Sequence, residues 1–320
     1  MDATRHRWLI PALEWHSLAA RLAIAGFIFL AMFGLQFSLM LQISVLLAGI
    51  ILVGFPHGAF DHLVARPILA PRLGRLWWGP FGAAYLGLAG LVWLAWIMAP
   101  ILTLVLFLAG SVLHFGLGDT EEGLEQRRVQ RWAAVLIFGA VPILLPVAFH
   151  PEQAAPLLGA IGDVTEPVME HVLALSIWLV PAWIASFVWL CWSGRRDGTD
   201  VSMLAASAVC FGLLPPLLAF GLYFGLVHSP RHLLRLGAWH DPWDPYRAAV
   251  WAARVVVPAG IVCALGIGGI ALAAPDISIS LLVPIFRIIA ALTLPHMIVT
   301  AWLGKTQEAT CDTAGVQTMS

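Results

Sequence analysis

Four histidines, His57, His114, His228 and His296, each stand at or near the end of a long apolar stretch, in Pro56-His57-Gly58, His114-Phe115-Gly116, His228-Ser229-Pro230-Arg231-His232 and Pro295-His296-Met297. An imidazole in or beside hydrocarbon costs free energy unless a partner offsets it, so several in equivalent positions point to one shared task. Imidazoles bind zinc, copper, iron and nickel, and a metal-bound histidine normally gives its second ring nitrogen to a carboxylate, carbonyl or water. Asp61 follows His57 by four residues and Asp119 follows His114 by five. Each acid is therefore expected about one helical turn from its imidazole, either as an outer partner or as a helix-terminal group held by arginine. His228 and His232 share a face on a continuous helix; with a break, Ser229 becomes the N-cap and Pro230 the first helical residue.

The elements that carry these residues follow from composition. The chain has 320 residues, 60% hydrophobic and 11% charged, with mean hydropathy +0.89. That leaves too little polar surface to coat a water-soluble globule, so the fold class is all-α, a polytopic integral membrane bundle. A crossing needs roughly 20 apolar residues. The expected spans are 18–37, 39–56, 77–98, 100–117, 132–149, 171–192, 249–273 and 279–303. The stretch 201–236 is too long for one crossing and is interrupted by Pro215-Pro216. It is expected to turn there and come back as a proline-broken hairpin, which makes 8–10 membrane-crossing helices.

Arginine gives the sidedness. Arg5, Arg7 and Arg21 precede the first span, Arg66, Arg72 and Arg75 follow the second, Arg127, Arg128 and Arg131 the fourth, and Arg195 and Arg196 the sixth. The positive-inside rule puts these segments and the N-terminus in the cytoplasm. With a returning hairpin, Arg231, Arg235, Arg247, Arg254 and Lys305 join that side, and His228 and His232 come to the depth of His57, His114 and His296. One metal site toward the cytoplasmic side becomes possible. Residues 151–170, with Glu152, Asp163, Glu166 and Glu170 and no basic residue, are expected to form an external loop flanked by solvated His150 and His171.

Three regions result: 1–37 with an additional N-terminal transmembrane helix, 38–303 as the catalytic membrane domain, and 304–320 as a flexible tail. The apolar run from Leu18 has no convincing cleavage site, so the first helix is expected to be retained. Cys191, Cys210, Cys263 and Cys311 form no C-x-x-C pair and are expected to be ordinary buried thiols. A net charge of −1 with dispersed basic residues gives no reason to expect nucleic acid.

Phe55, Phe60, Phe115, Tyr223 and Phe224 flank the histidine motifs and are expected to line a greasy substrate channel, with core packing as their other use. Gly54 and Gly58, Gly110, Gly116 and Gly118, and Gly221 and Gly225 surround the same motifs. Small residues let helices approach and leave room for a ligand, so bulky replacements are expected to be harmful. His62 is expected to be interfacial, and His6, His16 and His240 need no special role.

Taken together, GFPHGAFDH over Gly54–His62, SVLHFGLGD over Ser111–Asp119, YFGLVHSPRH over Tyr223–His232 and Pro295-His296-Met297 resemble the Brp/Blh family of membrane-bound β-carotene 15,15'-dioxygenases. The resemblance runs from about Gly54 to Trp302, with the motifs in the family's order. It implies oxidative cleavage of β-carotene by O2 at the central double bond, giving two all-trans-retinal, with Fe(II) held by His57, His114, His228 and His232. Asp61, Asp119 and His296 are then expected to be catalytic or to support the ligands. Membrane lipids are the surroundings, and a downstream rhodopsin is the recipient such a product implies. The alternative is a zinc-dependent intramembrane lipid hydrolase, which also needs histidines and an acid at the membrane face. A haem-binding or transport protein is the non-enzymatic reading.

Overall fold

The structure is a computed structural model that describes residues 8–120, 128–193, 198–273 and 278–317. Among these residues there are only helices and short connections, with no strand. The first half of the chain contains α1 (Leu9–Met32), α2 (Leu39–Gly49), α3 (Phe55–Gly58), α4 (Asp61–Leu73), α5 (Trp78–Met98), α6 (Pro100–Asp119) and α7 (Arg128–Phe149). The second half contains α8 (Pro151–Gly162), α9 (Glu166–Ala174), α10 (Val180–Trp192), α11 (Gly198–Leu213), α12 (Pro216–Tyr223), α13 (Ser229–His240), α14 (Pro245–Ala273) and α15 (Ile279–Gln317). Helices prevail because hydrocarbon offers no partner for backbone N–H and C=O groups. Eight helices among the described residues are long and apolar enough to cross a bilayer, the second running through α2, α3 and α4 and the sixth through α9 and α10. Leu86, Leu265 and Leu272 stand exposed on the outer surface, as lipid-facing residues do.

The hairpin turns back at the two prolines. Trp8 donates to the Asp241 carbonyl at 3.1 Å, Arg231 pairs with Asp200 at 2.9 Å, and His228 meets Asp119 at 3.0 Å. These contacts put the starts of α1 and α11, the end of α6 and the whole of α13 toward one face. At the opposite face, a Cβ on Gly212 at the end of α11 would lie 4.0 Å from the Phe149 ring at the end of α7, and Arg287 donates to the Ile161 carbonyl at 2.8 Å. The chain therefore runs away from the first face along α11 and returns along α12 and α13. By helical rise the arms are about 24 and 37 Å long, enough for a short and a full crossing.

Three sequence expectations change. The first helix starts at Leu9, not near Leu18, so Arg21 lies within it and bonds the Ser202 hydroxyl and the Ser17 carbonyl. Its early turns are held by packing, since Leu9 and Leu13 are buried against Ala238. Arg5, Arg7, Arg127, Arg195 and Arg196 lie outside the described residues. The acidic segment after the fifth span is not a loop: α8 buries Ala154, Ala155, Leu157 and Ile161, an apolar face at helical spacing, and turns its one charged residue, Glu152, outward. His150 is correspondingly half-buried. α15 continues to Gln317, into the segment read from sequence as a tail.

Two π-helical turns, Ile50–Gly54 and Phe224–His228, lie where the histidine motifs begin. Each precedes a proline, Pro56 or Pro230, which lacks the N–H an α-helix would use and crowds the carbonyl four residues back. Such widened turns are often found at functional sites. The two widened segments cross closely because glycine faces glycine: a Cβ on Gly49 would lie 3.1 Å from the Gly221 carbonyl oxygen and 3.4 Å from the Gly225 Cα. This crossing brings His57 and His228 together.

Candidate metal centre

Imidazoles from four separate stretches of chain meet at one depth. His57 lies on α3, just after the first π turn and midway along the second span, His114 lies one turn before the end of α6, His228 closes the second π turn, and His232 follows on α13. Ser229 has helical backbone angles and the helix runs on through Pro230, so His228 and His232 share a continuous helix and Ser229 is not an N-cap. His296, on α15, joins them. The ring centroid of His57 lies 6.4 Å from that of His114, 6.0 Å from His228, 5.5 Å from His232 and 5.0 Å from His296. His114 is 5.0 Å from His228 and 5.3 Å from His296.

The donor set suits a metal. Ligand nitrogens of His57, His114 and His228 lie within 4.8 Å of one another, and the Nε2 atoms of His114 and His228 are 3.3 Å apart. Two nitrogens bound to one ion at about 2.1 Å are separated by about 3.0 to 3.4 Å, between octahedral and tetrahedral angles. His57 Nδ1 is buried without a hydrogen-bond partner, a costly condition unless something else engages it. His232 is half-buried at the edge of the group.

Each aspartate serves a histidine on another helix, contrary to the expectation from sequence spacing. Asp61 does not sit one turn from His57. Its carboxylate meets His296 Nδ1 at 2.8 and 3.0 Å and accepts from the Tyr85 hydroxyl at 2.8 Å. Asp119 meets His228 Nδ1 at 3.0 Å and accepts from Tyr223 at 2.6 Å. Both acids are buried. A carboxylate on Nδ1 fixes the proton there and leaves a lone pair on Nε2, the arrangement that orients metal-binding histidines. Tyr85 was missed from sequence, although a rule was available: a tyrosine in an apolar span needs a hydrogen-bond partner for its hydroxyl.

A cavity of about 440 Å³ adjoins the cluster, within the size range of small-molecule sites. His57, His114 and His296 form its polar end with Asp61, His62, Tyr85 and Ser111. Elsewhere its walls are almost entirely apolar, with Phe107, Pro142, Leu157, Phe220 and Phe286 among them. Of the aromatics expected to line a channel, Phe55, Phe115 and Phe224 border this cavity. Phe60 is instead buried against Trp251, with ring centroids 5.0 Å apart, and Tyr223 is turned toward Asp119 behind the cluster. The contribution of α8 through Ala154, Leu157 and Ile161 was hidden by treating that segment as a loop.

Residues 48–304 match the family described as β-carotene 15,15'-dioxygenase. A probable β-carotene 15,15'-dioxygenase Blh from Halobacterium salinarum is 30% identical over 311 residues, covering 87% of this chain and 88% of that protein. A β-carotene 15,15'-dioxygenase from an uncultured marine bacterium is 24% identical, with 79% and 90% covered. A probable β-carotene 15,15'-dioxygenase Brp from H. salinarum is 25% identical, with 94% and 96% covered. No solved structure matches. The matched region contains all five clustered histidines and begins after α1.

Proposed function

This chain belongs to the β-carotene 15,15'-dioxygenase family, and from that premise we propose that it cleaves β-carotene with O2 at the 15,15' double bond to give two molecules of all-trans-retinal. The balance is direct: the central C=C breaks and each carbon takes one oxygen atom. The observation that carries the reading is a cluster of buried imidazoles at the polar end of an otherwise apolar cavity. His57, His114, His228 and His232 would hold Fe(II), which when bound supplies activation of O2. These residues present neutral nitrogens, so the ion keeps its charge and no thiolate or carboxylate need bind it.

The rest of the site positions the substrate. From His296 to Phe286 the cavity follows α15 for about 15 Å at 1.5 Å per residue. This is close to the distance from the central bond of a C40 carotenoid to one of its rings, so one half of the polyene fits between cluster and α8. Phe55, Phe115 and Phe224 would hold the reacting bond, which gains rate through orientation. A substrate already dissolved in lipid needs no aqueous entrance. We place the protein in the cell membrane, with its N-terminus and metal site toward the cytoplasm, on the arginine distribution.

Expression in a β-carotene-accumulating bacterium tests this. Colour loss with retinal as product is expected, and with 18O2 each retinal carries one labelled oxygen at short times. His57→Ala should lose both bound metal and retinal formation while remaining in the membrane. Zinc as the bound metal together with turnover that needs no oxygen would replace the reading with the hydrolase.

A further inference from the structure

The imidazole that the four-ligand set omits has the construction of a ligand. His296 is 5% exposed, and its Nδ1 lies 2.8 and 3.0 Å from the two Asp61 oxygens. That contact places the ring proton on Nδ1 and leaves a lone pair on Nε2. Nε2 itself is buried and has no hydrogen-bond partner. A buried acceptor aimed away from all protein donors is expensive, about 1–3 kcal/mol, and persists where something absent from the polypeptide engages it.

The surroundings identify what that is. The His296 ring lies 5.0 Å from His57, 5.3 Å from His114 and 5.9 Å from His232. Those separations fall among the ones the other rings keep from each other. His228, one of the three residues whose nitrogens converge, is built in the same way: an aspartate on Nδ1, a tyrosine hydroxyl on the other oxygen of that aspartate, and Nε2 turned to the cluster. Asp61 and Tyr85 reproduce this for His296 from α4 and α5.

We infer that His296 is a fifth imidazole ligand of the metal, held for that task by Asp61 and Tyr85. The inference rests on the metal-centre reading above and extends it. A six-coordinate ion would then keep one position for a further ligand, where four imidazoles would leave two. His57, His114 and His296 border the cavity whereas His228 and His232 do not, so His296 would be a third ligand on the substrate side. Asp61 and Tyr85 act as positioning residues.

Cobalt provides the direct test, with the full-length protein in detergent and Co(II) as the probe. In His296→Cys, a thiolate within bonding distance gives a near-ultraviolet sulfur-to-cobalt charge-transfer band that wild type lacks. Such a band is expected, and its appearance in folded, cobalt-loaded His296→Cys supports the proposal. Chelator competition gives an independent readout: His296→Ala and Asp61→Asn should each release metal at chelator concentrations tenfold or more below those wild type needs. Unchanged resistance in folded His296→Ala, or in folded His296→Gln if the alanine variant fails to fold, overturns the proposal, and unchanged resistance in Asp61→Asn removes Asp61 as a positioning residue. A wild type that binds no metal would instead defeat the function reading.

Discussion

Two tyrosine–aspartate–histidine units flank the imidazole cluster, alike in their bonds and different in their surroundings. Tyr85–Asp61–His296 borders the cavity throughout. Tyr223–Asp119–His228 is sealed behind the cluster, with Tyr223 2% exposed and the Arg231–Asp200 pair packed beside it. The same hydrogen bonds thus have different alternatives. A group freed at the cavity can turn toward about 440 Å³ of open volume, whereas one freed in the sealed unit has only a void of about 10 Å³, at the lower limit for a single water. The comparison separates what holds the fold from what shapes the reactive side, because a buried unpaired donor costs far more than a solvated one.

Removing each acid gives the largest expected difference. Asp119→Ala strands the Tyr223 hydroxyl and the His228 Nδ1–H in a dry core and leaves the nearby Arg231 charge less well balanced, a loss of about 3–5 kcal/mol. Asp61→Ala strands two donors beside the cavity and should cost about 1–3 kcal/mol. Thermal unfolding of the metal-free proteins in one detergent measures both, free of stabilisation by bound metal. Equal losses would show that the two units are equally dry. Removing only the hydroxyls is gentler. Tyr223→Phe leaves an Asp119 oxygen without its 2.6 Å donor and should cost about 1–3 kcal/mol, while Tyr85→Phe, whose site water can reach, should stay below about 1 kcal/mol. A reversed order would place water on the sealed side.

How much of this the sequence disclosed depends on the range of the contact. The histidines at span ends, the hairpin at Pro215-Pro216 and the apolar spans were legible, since each follows from local composition. The pairing of the acids was not. Asp61 is four residues from His57, but α3 ends at Gly58 and a new helix starts at Asp61, so helical spacing does not relate them. Asp119 is five residues from His114, which on a helix turns the side chains well apart. Both acids instead meet residues more than 100 positions away, set by how α4 packs against α15 and the end of α6 against the second π turn. Phe60 was misread for a related reason: flanking a motif in sequence does not decide which helix face a ring occupies. Tyr85 and the apolar face of α8 were within reach of pattern reasoning.

Glycine offers the finest test of the two units, because each histidine is backed by one. A Cβ added to Gly118 would lie 2.9 Å from His228 Cε1, whereas one added to Gly58 would lie 3.8 Å from His296 Nδ1. The first is closer than real Cβ contacts allow, so His228 must shift. Asp119 and Tyr223 hold that ring from the other side, and its Nε2 faces His114 at 3.3 Å, so a displacement of a few tenths of an ångström moves the metal-facing nitrogen. The second is an ordinary van der Waals contact and asks nothing of His296. Gly118→Ala should therefore weaken metal retention several-fold against a chelator, and Gly58→Ala should leave it within about twofold of wild type. This narrows the sequence expectation that bulk near any of these histidines is harmful. Comparable weakening in both variants would mean that the cavity-side unit is packed as tightly as the sealed one, and the distinction between them would then rest on hydration alone.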